Sequence, residues 1–370
     1  MPMQTSAKKI IKVGAGKIKS KILTKLSKMT GKNLTVPAQI YWNISNKCNF
    51  RCKMCTQWDR GLRENPKDYL SFENMKSVVD QMKKLKIRNL GITGGEPILQ
   101  KELLFKVLEY ANSQGIYTHF GTNGWLIDAE IIKQYDQIGG GHISLSIDAI
   151  GGLHDEIRSM PGAFEHAIGV LRAYKEIKPQ NVAIKINTVM SRKNLDHILP
   201  LVNLAEKYGA SIFIQPFEDF EHDKLYKDNV EIDNSFAVKK ENIRQVQDII
   251  SKLKDIKRKK PGLILNSQTH LDGISKYFEN RKNAKNNCEV AYKKFTIHPF
   301  GDVLFCGYLG FIGNIKNNSI AEIWNSTKAE KARVEMKKCR LNCMQGCFFE
   351  PGFFEMTRDG FYYLSKLLKK

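Results

Sequence analysis

Hydrophobic and polar positions along most of this chain follow two alternating periods. Gln39-Ile40-Tyr41-Trp42-Asn43-Ile44 reads as a buried strand. Ser71 is a suitable N-cap, and Met75, Val78, Val79, Met82 and Leu85 then recur at helical spacing. A strand returns over 88–93. The pattern repeats with helices over 103–113, 129–138, 164–174 and 195–208 and strands over 116–121, 142–147, 182–189 and 211–216. Such alternation predicts parallel βαβ units and the α/β class. Downstream, the acidic stretch 218–233 reads as a loop and 239–260 as a basic amphipathic helix, together a solvated helical linker. Residues 295–306 read as a hairpin turning at Gly301.

Ahead of the first strand the pattern differs. Ile11, Ile18, Ile22, Leu26 and Met29 recur at roughly helical intervals among Lys8, Lys9, Lys12, Lys17, Lys19, Lys21, Lys25, Lys28 and Lys32, and the first acidic residue is Asp59. This stretch carries much of the net charge of +21. A lysine-rich amphipathic helix suits an anionic membrane surface or an acidic partner through residues 8–32; the plainer alternative is a solvated extension. No nucleic-acid module accompanies the charge, so nucleic acid is not the expected partner. The 370 residues can bury a large core, no apolar run is long enough to span a membrane, and no secretory signal is legible. The eight cysteines cluster instead of spreading as a disulfide framework, which fits a reducing cytoplasm.

Cys48, Cys52 and Cys55 lie within one short stretch just after the first strand. Thiolates suit iron–sulfur clusters or zinc, and three ligands leave one cluster iron open for chemistry on a bound molecule. Structural zinc wants four closed ligands, and no fourth is close by in sequence. Gly94-Gly95 at a strand end allows close backbone approach, Glu96 could accept hydrogen bonds from an ammonium group, and Pro97 stiffens the turn; an ordinary turn is the alternative.

The Cys-x3-Cys-x2-Cys spacing resembles that of the radical S-adenosylmethionine (SAM) enzymes. The match extends in order through Gly94-Gly95-Glu96-Pro97, Gly121-Thr122-Asn123-Gly124, Ser144-Leu145-Ser146-Ile147-Asp148 and His154-Asp155-Glu156-Ile157-Arg158. The resemblance implies a partial (β/α)6 TIM-like barrel over 38–217. It implies a [4Fe–4S] cluster on Cys48, Cys52 and Cys55 and SAM contacts from Gly94, Gly95, Glu96, Pro97, Asn123, Ser146, Asp148 and Arg158. Met54 and Ile214 would pack on the adenine, though Ile214 could also be core. It further implies a reductant such as flavodoxin or ferredoxin.

The remaining cysteines are Cys288, Cys306, Cys339, Cys343 and Cys347. With Gly313-Asn314-Ile315 and Ile323-Trp324-Asn325-Ser326 they resemble the SPASM or twitch extension, a small cysteine-rich α+β region over 286–350 that carries auxiliary iron–sulfur clusters. Cys288, Cys306, Cys343 and Cys347 are the expected ligands of one auxiliary [4Fe–4S] cluster, with Cys339 as a substitute for either of the last two and zinc as the competing metal. The expected organisation is an extension over 1–37, the barrel, a helical linker over 218–285, the cysteine-rich region and a tail over 351–370.

The resemblance implies reductive cleavage of SAM to a 5′-deoxyadenosyl radical that takes a hydrogen atom from substrate. The first expectation for that substrate is a small sugar- or cyclitol-like molecule; the alternative is a peptide or protein side chain. A third reading, from a different class, is a non-catalytic iron–sulfur or zinc protein. The expected location is cytoplasmic, or peripheral at the inner face of the membrane.

Overall fold

The structure, a computed structural model, describes residues 7–218, 233–283 and 288–344. The stretch 219–232, Cys347 and the tail over 351–370 lie outside the described residues.

Every expected barrel strand forms. They are β1 (Gln39–Asn43), β2 (Asn89–Thr93), β3 (Tyr117–Thr122), β4 (His142–Ser146), β5 (Ala183–Met190) and β6 (Ser211–Pro216). Around them lie α1 (Ala7–Thr30), the short α2 (Gln57–Arg63), α3 (Phe72–Lys84), α4 (Lys101–Ser113), α5 (Ala129–Gln137), α6 (Gly152–Arg158), α7 (Ala163–Ile177) and α8 (Ile198–Tyr208). The caps are chemical. Ser71 and Asn74 form a reciprocal capping box at the start of α3, and the Asp128 carboxylate accepts from the Ile131 amide to start α5.

β1 to β6 pair in parallel and in sequence order, and the sheet stays open, as in a partial barrel. The alternation along each strand has a structural cause. Ile40, Trp42, Leu90, Ile92, Phe120, Ile143, Leu145, Ile184, Ile186, Ile212 and Ile214 belong to one buried core cluster with apolar residues of the helices. The intervening Tyr41, Asn43, Thr93, His119, Ser144, Ser146, Lys185, Asn187, Phe213 and Gln215 line a cavity on the concave side.

Two features depart from the expected organisation. First, α9 (Ile243–Lys259) and α10 (Gln268–Glu279) are not a solvated linker: Val246, Ile249, Ile250, Leu253, Leu271, Ile274 and Tyr277 join the main core. Their apolar stripes cover the β6 end of the sheet, where Ile212 bridges to Ile264 and Asn266 bonds both backbone groups of Ile214. Second, the cysteine-rich region shares the barrel's sheet. After α11 (Val290–Lys293), β7 (Lys294–Ile297) pairs in parallel with β1, and β8 (Asp302–Leu304) and β9 (Phe311–Asn314) continue antiparallel beyond it. The strand order is β6-β5-β4-β3-β2-β1-β7-β8-β9. Gly301 turns the β7–β8 hairpin at φ 98°, as the sequence predicts. The capped helices α12 (Ile320–Trp324) and α13 (Thr327–Lys338) close this end, with Trp324 and Phe305 packed edge to face.

Candidate active site

A single cavity of about 1390 Å³ runs from the barrel's concave face to the cysteine-rich region, and all seven described cysteines line it. Cys52 forms a small buried cluster with Phe50 and Ala163, and the partly buried Cys48, Cys55, Trp125 and Met160 pack against it. The loop that carries them is held locally. The Phe50 amide donates to Cys48 Sγ at 3.4 Å, Arg51 donates to the Cys48 carbonyl at 2.8 Å, and the Cys55 amide donates to the Cys52 carbonyl at 3.1 Å.

The base of that loop rests on the Gly94-Gly95 turn. The Gly95 amide donates to Ser45 O at 2.7 Å and the Glu96 amide to Lys47 O at 2.8 Å. A Cβ on Gly94 would sit 2.2 Å from Ser45 O, and one on Gly95 2.1 Å from Lys47 O, so only glycine lets the two backbones meet. Gly94 also adopts φ +144°.

Glu96 does not face the cavity as the sequence suggested. Its fully buried carboxylate accepts from Thr122 Oγ1 at 2.8 Å and the Ile98 amide at 3.2 Å on one oxygen and from the Asn123 amide at 2.8 Å on the other. Burial pushes its pKa up to about 7 despite those bonds. Its work here is to tie the ends of β2 and β3 together. Pro97 is buried at the first turn behind it and does not line the cavity.

Asp148 is likewise out of reach of a ligand. It is fully buried, accepts from the Val189 amide at 2.9 Å and pairs with Arg158 at 2.6 Å. Arg158 does reach the cavity, 4.0 Å from Cys52 Sγ, so Asp148 orients a cation beside that thiol. Ile214 is corrected for the same geometric reason as its neighbours. On a strand with period two it points into the outer core, while Phe213 and Gln215 point inward.

The other expected contacts stand at the cavity wall: Met54, Gly94, Gly95, Asn123, Ser146 and Arg158. Asn123 donates to Asn49 Oδ1 at 2.8 Å, linking the end of β3 to the cysteine loop. Burial raises the Cys48 thiol and pushes Cys52 up to about 12. Thiols raised in this way stay protonated unless a metal takes them as thiolates, and Cys48 and Cys52 each lie near enough to the other and to Cys55 to interact electrostatically, a donor set that suits an iron–sulfur cluster.

Across the cavity stand Cys288, Cys306, Cys339 and Cys343, near enough to influence one another electrostatically, and burial raises Cys343 and pushes Cys306 up to about 11. Cys339 is the exposed member of the set. Sequence reading missed the barrel floor. His119, Lys185, Lys294 and Thr296 all line the cavity there, and polar residues at alternate strand positions were the available signal. His119 stacks on His142 with ring centroids 4.4 Å apart, and burial, then the charge of Lys185, holds its pKa near 3.

Residues 42–205 match the radical SAM superfamily. The chain belongs to that superfamily. Residues 288–347 match SPASM, an iron-sulfur cluster-binding domain, which favours iron–sulfur over zinc for the second cysteine set. This radical SAM chain is 25% identical over 322 residues to an AdoMet-dependent heme synthase of Methanosarcina barkeri, covering 83% of this chain and 87% of that protein. It is 24% identical over 319 residues to the PqqA peptide cyclase of Bradyrhizobium diazoefficiens, covering 81% and 76%. Among solved structures, Streptococcus suis SuiB bound to S-adenosylmethionine superposes with a TM-score of 0.62 at 16% identity, over 79% of this chain and 66% of SuiB. The protein is thus a radical SAM enzyme that uses SAM and [4Fe–4S] clusters. Among the described residues no helix is long and apolar enough to cross a membrane.

Proposed function

We propose that this radical SAM enzyme takes a hydrogen atom from an anionic substrate held in the cavity between its two cysteine sets. One observation carries the reading: the described residues lining the cavity include eight lysines and arginines and a single carboxylate, Glu218. Some of that charge would balance cluster thiolates. Lys185 and Lys294, however, lie on strands deep in the barrel. Lys185 precedes the end of β5 by five residues, roughly 16 Å at the usual rise. Lys185 Nζ stands 5.8 Å from the Phe213 ring centre and Lys294 Nζ 4.8 Å from that of Tyr41, so each cation is steered over an aromatic wall.

Cys48, Cys52 and Cys55 would hold the SAM-binding cluster. The Gly94–Gly95 backbone, Asn123, Ser146, Met54 and Arg158 would surround SAM. Cys288, Cys306, Cys339 and Cys343 would supply auxiliary ligands, with Cys347 in the same stretch of sequence. The SAM-binding cluster, when bound, supplies the electron that cleaves SAM to methionine and a 5′-deoxyadenosyl radical. The protein's share is to fix the substrate's anionic end at the floor, present its hydrogen near the cysteine loop and keep water out. On this reading 38–217 and 286–350 are two functional halves built on one sheet. A flavodoxin or ferredoxin is the class of donor proposed.

The relatives described above are named for haem formation and for peptide cyclisation, not for sugar or cyclitol oxidation. A carboxylate-bearing molecule is therefore the first reading. A peptide is the second, favoured by the likeness to PqqA peptide cyclase over 81% of the chain. The test is 5′-deoxyadenosine formation by the reconstituted, reduced enzyme with an iron-bound tetracarboxylate porphyrin, with acidic peptides and with neutral sugars. Lys185→Met and Lys294→Met should each raise the half-saturating concentration of an anionic activator about 10- to 100-fold, as loss of a charge-assisted hydrogen bond requires, and leave that of SAM unchanged. Activation by neutral sugars alone, or indifference to both substitutions, would overturn the reading.

A further inference from the structure

We propose that α1 is a peripheral anchor for an anionic lipid surface, turned so that its apolar stripe faces away from the protein. A helix that simply packs on a domain buries its apolar side and exposes its polar one. Here the order is reversed. Thr24 and Ser27 are 1% and 0% exposed, whereas Ile18, Ile22, Leu26 and Met29 are 43%, 54%, 40% and 72% exposed. At 3.6 residues per turn those four fall within an arc of roughly 80°, with Thr24 and Ser27 on the opposite side.

Polar links fix this rotation. Ser27 Oγ donates to Leu23 O at 2.8 Å and accepts from the Leu34 amide at 2.9 Å. Lys28 pairs with Glu289 at 2.8 Å, Asn33 donates to Asn325 Oδ1 at 2.8 Å, and Trp324 Nε1 donates to Thr35 O at 2.8 Å. Turning the stripe inward would break the Lys28–Glu289 pair and carry Ser27 away from the Leu34 amide, so its exposure belongs to the docked helix and is not a fault of docking.

The flanking charge selects the occupant. Lys19 and Lys25 are exposed and lie on either side of the stripe, and the first half of α1 adds Lys8, Lys9, Lys12 and Lys17. Before Asp59 the chain contains no acidic residue. A second copy of this chain would bring like charges together at short range. An anionic bilayer instead offers an apolar layer beneath a negative one, matching the stripe and its borders. This inference does not depend on the substrate proposed above.

The test uses the full-length reconstituted protein in sedimentation with phosphatidylglycerol-containing and phosphatidylcholine-only vesicles at low and high salt. The expected result is partition onto the anionic vesicles only, weakening as salt rises. Lys19→Glu with Lys25→Glu should reduce it by at least about fivefold per lysine, since each contributes on the order of 1 kcal/mol near such a surface. Ile22→Glu with Met29→Glu should reduce it at least tenfold while leaving thermal unfolding and 5′-deoxyadenosine formation unchanged. Absence of vesicle binding, equal binding to neutral vesicles, or indifference to the Ile22/Met29 pair would overturn the proposal. So would a dimer, seen by light scattering, that the same pair dissociates.

Discussion

Gly95→Ala is expected to cripple the SAM-binding cluster without touching a cysteine. The new Cβ would stand 2.1 Å from Lys47 O where 3.4 Å is ordinary contact, a shortfall of about 1.3 Å. Its nearest neighbours are Lys47 O, Lys47 C and Asn46 O, all backbone, so no side chain can swing aside. The turn and the segment 45–47 must separate, which stretches Gly95 N–Ser45 O at 2.7 Å and Glu96 N–Lys47 O at 2.8 Å. Leaving buried backbone partners unmet costs roughly 1–3 kcal/mol each, so the local loss is about 2–6 kcal/mol, concentrated at the root of the loop bearing Cys48. The assay is iron and sulfide content after reconstitution, with 5′-deoxyadenosine formed per protein. Gly169→Ala is the control: nothing lies within 4 Å of its new Cβ, and alanine at this exposed position in α7 should be neutral or stabilising by up to ~1 kcal/mol. Full cluster loading and wild-type SAM cleavage in Gly95→Ala would refute the close-approach reasoning.

Other outcomes follow from the same geometry. Cys55→Ala should abolish 5′-deoxyadenosine formation, whereas Cys306→Ala should lower iron content and retain SAM cleavage, which separates the two cysteine sets. Arg158→Met strands the buried Asp148 carboxylate and should destabilise the protein by about 3–5 kcal/mol in denaturant unfolding, with part of the loss restored by adding Asp148→Asn. His119 and His154, held near pKa 3 by burial against an ordinary 6.5, stay neutral while the unfolded chain takes up protons. Stability should therefore be unaffected by them above pH 6.5 and fall as pH drops towards 3, by about 2 kcal/mol per histidine at pH ~5. His119→Phe should reduce that slope in urea midpoints compared at pH ~7.5 and ~5.

The repeating strands and helices were legible because burial imposes a period of two on a strand and 3.6 on a helix, and the residues from 39 to 216 keep to both. The cysteine loop was legible because its thiols are close in sequence and need only a local turn to converge. The Gly94-Gly95 pair was legible as a close approach, though not what it approaches. Glu96, Asp148 and Ile214 were read as ligand contacts because their segment was right, yet the direction of each side chain depends on neighbours distant in sequence. Glu96 is claimed by Thr122 and Asn123, Asp148 by Arg158, and Ile214 by the outer core that α9 and α10 help to build.

The sequence by itself determined the elements, the two cysteine sets and the lysine-rich start, since each rests on local spacing and composition. Only the tertiary structure decided that β7 lies against β1, because parallel pairing joins residues some 250 positions apart and leaves no local signature. That pairing places the two cysteine sets around one cavity. It also provides, through Glu289 and Trp324 on the cysteine-rich side, the surface that docks α1 by its polar face and leaves the apolar one outward.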